Sequence, residues 1–151
     1  MNRFILSQTS RLLFPYFIML SLIVLYRGHN MPGGGFIGGL LAACAFILVG
    51  LGYDMQQARK KLRVEPVTLM GVGLTIAILS GFVGFYDSDA YMTGAWLPDF
   101  YVPLLGKVHL GTPLVFDIGV YLVVIGFVLH TTFSLAELGH AEDEEKEEEE
   151  A

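Results

Sequence analysis

Two ionisable side chains interrupt the last apolar stretch of the sequence. Asp117 and His130 both fall within a stretch that runs from about residue 113 to residue 136. An ionisable group inside a membrane is costly, and such groups commonly serve proton or ion pathways. A histidine also changes its charge near neutral pH. We therefore take Asp117 and His130 as candidate residues of an ion route.

A structural explanation competes at each of these positions. Asp117 lies about one helical turn, or roughly 6 Å, after Pro113, and the helix dipole favours a carboxylate near the start of a helix. His130 lies roughly 20 Å further along, where a histidine near a helix end usually serves as an interfacial or hydrogen-bonded residue. Both explanations stay open for Asp117, and the structural one is favoured for His130.

Glycines are concentrated between residues 33 and 39. Gly33, Gly35 and Gly38 match the G-x-G-x-x-G pattern of dinucleotide-binding sites. That pattern needs a strand before it and a βαβ unit around it, whereas apolar stretches of helical length flank these glycines. No Gly-Lys-Ser/Thr sequence follows, so a phosphate-binding loop is excluded as well. We exclude a nucleotide site.

The same segment predicts a face for close helix packing. Pro32 can begin a helix, and two pairs of glycines, Gly34 with Gly38 and Gly35 with Gly39, each have the four-residue spacing of a helix face. Small residues at this spacing let a second backbone approach closely in a membrane, where the hydrophobic effect does not drive helices together. We expect this face to pack against helices of partner subunits.

The elements that position these residues are membrane spans. Of the 151 residues, 54% are hydrophobic and only 16% are charged, and the mean hydropathy is +0.58; soluble domains average about 25% charged residues. Four stretches of roughly bilayer length carry few or no charges, at residues 8–26, 31–53, 66–86 and 113–136. Residues 39–52 are apolar on every side, unlike a helix of a soluble bundle. We predict an all-α integral membrane protein with four transmembrane helices.

Basic residues indicate the orientation of these helices. Seven of the nine basic residues fall on the side of the termini, and two fall on the other side. The first group is Arg3, Arg11, Arg59, Lys60, Lys61, Arg63 and Lys146, and the second is Arg27 and Lys107. Because basic residues are enriched in cytoplasmic loops, we predict that both termini are cytoplasmic.

Arg27 and His29 follow the first span on the predicted outer side. Arg27 can pair with an acid of the outer loop or of a partner subunit, and we take Arg27 and His29 as candidate partner contacts. The simpler interpretation is that Arg27 anchors the helix at the membrane interface. His29 and His130 fall near opposite surfaces, so they cannot jointly bind haem or a metal ion.

Residues 137–151 form an acidic tail of different composition. The tail contains nine acidic residues and one lysine, which gives it a net charge of −8, although the whole chain carries only −6. Such a segment cannot bury a core, so we predict a disordered cytoplasmic tail after a transmembrane domain of residues 1–136.

The single cysteine, Cys44, excludes an internal disulfide and CxxC-type metal sites. The sequence shows no group of residues with the types and spacing of a catalytic site. We therefore expect no enzyme activity, no cofactor, no bound metal and no nucleic-acid partner.

Two segments resemble the signatures of a known family. Residues 26–40 (YRGHNMPGGGFIGGL) and residues 111–121 (GTPLVFDIGVY) closely resemble segments of the MnhB/MrpB-like family, the B-type subunits of the multisubunit Mrp-type sodium/proton antiporters. With the four spans, the resemblance covers roughly residues 1–136. It implies an accessory subunit of a hetero-oligomeric antiporter in the bacterial plasma membrane, in which proton influx drives Na+ export. It also implies large partner subunits that resemble the proton-translocating subunits of respiratory complex I.

Two other functions stay open from the sequence. Related B-like subunits occur in membrane-bound hydrogenase complexes, so a structural membrane subunit of such a complex is the main alternative. A channel formed by this chain alone is the weaker alternative, because no internal repeat or pair of broken helices marks an ion site at the middle of the membrane.

The predicted orientation can be tested by cysteine labelling. Single cysteines at Gln57 and Ser88, each in a Cys44→Ala background, should react with an impermeant thiol reagent from opposite faces of the membrane. Labelling of intact cells and of everted vesicles would compare the two positions. Equal labelling of both positions from outside would contradict the orientation.

Overall fold

The computed structural model describes residues 2–28, 33–87, 100–102, 106–108 and 111–149. Its helices are α1 (Asn2–Arg27), α2 (Gly35–Gly52), α3 (Met55–Leu62), α4 (Pro66–Asp87) and α5 (Thr112–Glu149). Between α4 and α5, the short strands β1 (Phe100–Val102) and β2 (Gly106–Val108) pair antiparallel, with Tyr101 opposite Lys107. The described part of the fold is thus helical apart from one small hairpin between α4 and α5.

The prediction of an all-α membrane fold is confirmed. Three helical segments, Phe4–Arg27, Gly35–Gly52 and Thr112–Gly139, are long and apolar enough to cross a membrane. Helices α3 and α4 meet at a bend of 40°, and together they count as a fourth candidate span. Between the second and third predicted spans, residues Met55–Leu62 form the short helix α3.

The helices lie side by side in the order α1, α2, α5, α4. Helix α2 packs against α1 on one side and against α5 on the other, and α4 packs against α5. Among the described residues, α1 and α4 do not touch each other. The arrangement is therefore an open row with α1 and α4 at its edges rather than a closed bundle.

Helices α4 and α5 pack closely against each other at glycine residues. A Cβ atom at Gly73 would lie 2.6 Å from the carbonyl oxygen of Gly119, and one at Gly119 would lie 2.7 Å from the amide nitrogen of Ala77. Near the other end of the contact, a Cβ atom at Gly126 would lie 2.6 Å from the carbonyl oxygen of Pro66. These distances leave no room for a side chain, so the two backbones approach as closely as glycine alone permits.

Helix α3 links the ends of three spans through charged side chains. Arg59 donates to Glu65 at 3.1 Å and to Glu137 at 2.9 Å, which connects α3 with the start of α4 and with α5. The hydrogen bond and charge of Glu65, followed by the charge of Glu137, raise the pKa of Arg59. Lys61 lies over the ring of Phe14 in α1, 3.6 Å from its centroid.

The end of α5 differs from the sequence expectation. The helix continues through residues 137–149, most of the segment for which the composition predicts a disordered tail. Glutamate and lysine are both good helix formers, and extending an existing helix avoids the cost of nucleating a new one. The helix of the last span can therefore propagate into this acidic segment.

The glycine contact between α4 and α5 predicts different effects for two neighbouring glycines of α4. Gly73→Ala should lower the free energy of unfolding by about 1–3 kcal/mol, because the added methyl group meets backbone atoms of α5. Gly71→Ala is the matched control and should leave it unchanged or raise it by up to about 1 kcal/mol, because nothing lies within 4 Å of its added Cβ atom and alanine is the better helix former. Detergent-induced unfolding of the purified chain, followed by circular dichroism, would measure both. Equal effects would contradict the described contact.

Candidate functional site

The candidate site lies where the two signature segments meet, at the amino end of α2. Gly34 precedes the helix with φ 96° and ψ −170°, a conformation that only glycine adopts readily. Its N–H donates to the carbonyl of Val24 in α1 at 3.1 Å. Gly34 therefore ties the amino end of α2 to α1, although it has no side chain with which to cap the helix.

The carboxylate of Asp117 lies against this helix end. A Cβ atom at Gly34 would be 3.1 Å from Oδ2 and 3.8 Å from Oδ1 of Asp117. Asp117 is half-buried, in the first turns of α5. The amino end of a helix carries a partial positive charge, and its free N–H groups attract anions. The structure thus places the negative charge of α5 beside the positive end of α2.

Gly35 and Gly39 hold α5 against α2. A Cβ atom at Gly35 would overlap the carbonyl oxygen of Asp117 and lie 3.0 Å from the amide nitrogen of Tyr121. One turn later, a Cβ atom at Gly39 would lie 2.8 Å from Cβ of Val124. Side chains at these glycines would push α5, and Asp117 with it, away from the amino end of α2.

Gly38 faces the opposite neighbour. A Cβ atom there would lie 2.9 Å from the carbonyl oxygen of Ser21 and 3.3 Å from Cβ of Leu25, both in α1. Close packing is therefore present at Gly35, Gly38 and Gly39, whereas Gly34, which the sequence paired with Gly38 on one helix face, precedes the helix. Its partners among the described residues are α1 and α5 of the same chain, and packing of this face against helices of partner subunits stays a prediction.

A pair of hydroxyl groups connects α1 to α5 beside these glycines. Ser21 is fully buried, and its Oγ lies 3.0 Å from the hydroxyl oxygen of Tyr121. Ser21 also donates to the carbonyl of Ile18 at 2.9 Å. Because a serine hydroxyl has one hydrogen to donate, the hydroxyl of Tyr121 must be the donor to Ser21. Neither residue was among the site residues predicted from the sequence.

The signal for Tyr121 was present in the sequence. It follows Asp117 by four residues, within the same signature segment, so the two side chains share one face of α5. Ser21 is an isolated polar residue in the first span, and nothing in its spacing identifies its partner. Asp117, Tyr121 and Ser21 together form a polar line along the contact of α5 with α1 and α2. A carboxylate can accept a proton, and hydroxyl groups can both donate and accept hydrogen bonds.

Of the other predicted site residues, the structure describes His130 and Arg27. His130 is exposed on α5, roughly 20 Å from Asp117 along the helix. Arg27 is the last residue of α1. Pro32 and His29 lie outside the described residues. Among the side chains that the structure does describe, no three His, Cys, Asp or Glu residues form a group that could hold a metal ion.

Comparison with known proteins gives consistent matches over most of the chain. Residues 5–130 match the family model described as "Domain related to MnhB subunit of Na+/H+ antiporter". The chain is 39% identical over 136 residues to the B subunit of the Na(+)/H(+) antiporter of Alkalihalophilus pseudofirmus, a match that covers 90% of this chain and 94% of that protein.

Two further relatives agree with this match. The B subunit of the Na(+)/H(+) antiporter of Bacillus subtilis is 37% identical over 128 residues, covering 85% of this chain and 89% of that protein. The protein named "Putative antiporter subunit mnhB2" of Staphylococcus haemolyticus is 33% identical over 137 residues, covering 89% and 95%. The family match includes both signature segments and therefore the whole candidate site.

The hydroxyl pair predicts an energetic coupling between α1 and α5. In a double-mutant cycle, Ser21→Ala and Tyr121→Phe should be coupled by about 0.6 kcal/mol, and by at most about 1.7 kcal/mol, as for other hydrogen bonds between membrane helices. Thr131→Val replaces Tyr121→Phe in a control cycle with Ser21→Ala, because Thr131 donates within its own helix to Phe127. Unfolding free energies of the purified variants would give both couplings. Equal values in the two cycles would contradict a bond between Ser21 and Tyr121.

Proposed function

This chain belongs to the MnhB family of Na+/H+ antiporter subunits, and we propose that it is an accessory membrane subunit of a hetero-oligomeric sodium/proton antiporter. In such a complex, proton influx drives Na+ export. The names of two relatives, both B subunits of an Na(+)/H(+) antiporter, favour this function over that of a structural subunit in a hydrogenase-type complex. The protein contributes to transport as a subunit and not as an enzyme.

The proposal extends to the surroundings of the subunit. Its partners are other antiporter subunits, including large proton-translocating subunits similar to those of complex I. The location is the bacterial plasma membrane, with both termini in the cytoplasm. Support for this orientation comes from the seven basic residues on the side of the termini against two on the other side.

The contact between Asp117 and the amino end of α2 is the observation that carries a role in ion transport. Asp117 is an acid in a helix that is apolar enough to span the membrane, and its carboxylate lies beside Gly34 at the amino end of α2. Asp117 is half-buried, so part of its surface remains accessible in the single chain. We assign Asp117 to an ion route at the surface between this chain and its partners.

A route that also uses His130 needs groups from outside this chain. His130 is exposed on α5 and lies roughly one leaflet away from Asp117 along the helix axis. Tyr121, one helical turn after Asp117, bonds instead to Ser21 of α1, in the interior of the chain. Partner subunits must therefore supply the groups between Asp117 and His130 if both serve one route.

The charge of Asp117 can be tested separately from its shape. Asp117→Asn should leave the assembled complex intact but largely abolish sodium-dependent proton exchange in everted vesicles, because asparagine cannot ionise. Asp117→Glu should retain part of the exchange. Asp54→Asn is the matched control, since Asp54 is an exposed acid between α2 and α3, and it should have no effect.

The outcome separates ion handling from structural support. If the carboxylate only stabilises the end of α2, removal of its charge should cost on the order of 0.3–1 kcal/mol in stability and little activity. Exchange rates measured at several pH values, normalised to the amount of assembled complex, give the comparison. Unchanged exchange in the asparagine variant over the whole pH range would rule out the ion-route assignment.

A further inference from the structure

A groove lies near the amino end of α1, on the side of the helix that faces away from the other helices. The described residues that line it are Gln8, Arg11, Leu12, Pro15 and Tyr16, and its volume is about 520 Å³. These residues recur at intervals of three and four, so they share one face of the helix. The groove therefore follows the length of α1 for about two turns.

This face points away from the rest of the protein. The buried residues of α1 are Ser10, Ser21 and Leu25, and Ser21 and Leu25 contact α2 at Gly38. Leu12 and Tyr16, in the groove, keep 64% and 59% of their surface exposed. Since α1 is one edge of the helix row, the groove opens toward whatever surrounds the subunit in the membrane.

The polar end of the groove suits a phosphate group. Arg11 offers a planar set of N–H donors that matches phosphate oxygens, and Gln8 adds an amide donor. None of the described lining residues is acidic. The site is therefore complementary to an anion.

Pro15 adds an acceptor to the same end. A proline inside a helix has no N–H group to bond the carbonyl four residues earlier, which here is that of Arg11. The groove thus combines cationic donors with a carbonyl group that can accept a hydrogen bond from a hydroxyl group. The glycerol headgroup of phosphatidylglycerol carries both a phosphate and hydroxyl groups.

The groove continues into an apolar strip. Met19, Leu22 and Ile23 are exposed by 57%, 51% and 43% on the same side of α1. From Leu12 to Ile23 the strip is roughly 16 Å long, close to the depth of one leaflet of a bilayer with a core of about 30 Å. Its length and composition fit an acyl chain.

We propose that this groove binds an anionic phospholipid, with its phosphate on Arg11 and Gln8 and an acyl chain along the strip. An acidic helix of a partner subunit would also match the charge, and the crosslinking experiment below distinguishes it from a lipid. The site is separate from Asp117, and its occupancy does not require antiport activity. Lipid binding can therefore succeed or fail independently of the proposed function.

Photocrosslinking can identify the occupant. p-Benzoylphenylalanine in place of Tyr16 reports directly on the groove. The complex isolated through a tag on this chain is placed in phosphatidylcholine nanodiscs that contain phosphatidylglycerol as the minor lipid. After irradiation, whole-chain mass spectrometry should show phosphatidylglycerol adducts about fivefold above the share of that lipid in the bilayer. This ratio follows from ~1 kcal/mol of attraction between one basic side chain and an anionic lipid.

Variants test the contribution of each group. Arg11→Gln should reduce the adducts to the bilayer share of phosphatidylglycerol, and Arg11→Lys should retain part of the enrichment because it keeps the charge. Lys60→Gln is the control, since Lys60 is an exposed cation of α3 outside the groove, and it should leave the enrichment unchanged. Excess water-soluble glycerophosphate should not displace the lipid.

Several results would overturn the proposal. Adducts at the bilayer share in the unaltered chain would show that the groove does not select the anionic lipid. Full enrichment in Arg11→Gln would remove the assigned phosphate contact. A crosslink to another subunit in place of lipid would make the groove a protein interface, and displacement by glycerophosphate would make it a site for free phosphate.

Discussion

The lack of side chains at the glycines of α2 is the constraint on which the structure depends. A single Cβ atom at Gly35, Gly38 or Gly39 would meet atoms of α5 or α1 at 3.0 Å or less. Membrane helices gain no hydrophobic free energy by leaving lipid for each other, so their association depends on close packing and on hydrogen bonds. The narrow helix α2 supplies that packing on two sides and becomes the centre of the row.

The position of the polar residues follows from this close approach. With α5 held against Gly35 and Gly39, its Asp117 reaches the amino end of α2 and its Tyr121 reaches Ser21 of α1. A buried polar group without a partner is costly in an apolar medium. Among the described residues, no buried side-chain nitrogen or oxygen lacks a hydrogen-bond partner. Ser10 and Ser80 donate within their own helices, and the contact of α5 with α1 adds the bond between Ser21 and Tyr121.

Helix α4 is attached to this centre in a different way. It contacts α5 through Gly73, which faces Gly119, while Arg59 of α3 connects the start of α4 to the region beyond the last span. The result is an open row in which α1 and α4 present broad apolar surfaces outward. Among the described residues, both edges of the row are therefore open to neighbours.

The sequence by itself determined the membrane class, the approximate spans, the family and the presence of a close-packing face at residues 34–39. Those properties are local, since hydropathy and residue spacing are read within one segment. Only the tertiary structure decided that Gly38 faces α1 while Gly35 and Gly39 face α5, and that Ser21 meets Tyr121, a hundred residues later. Helices that are apolar on every side carry no periodic signal for their rotation about their own axes. The pairing of their faces is fixed when the backbones pack together, and with it the place of Asp117.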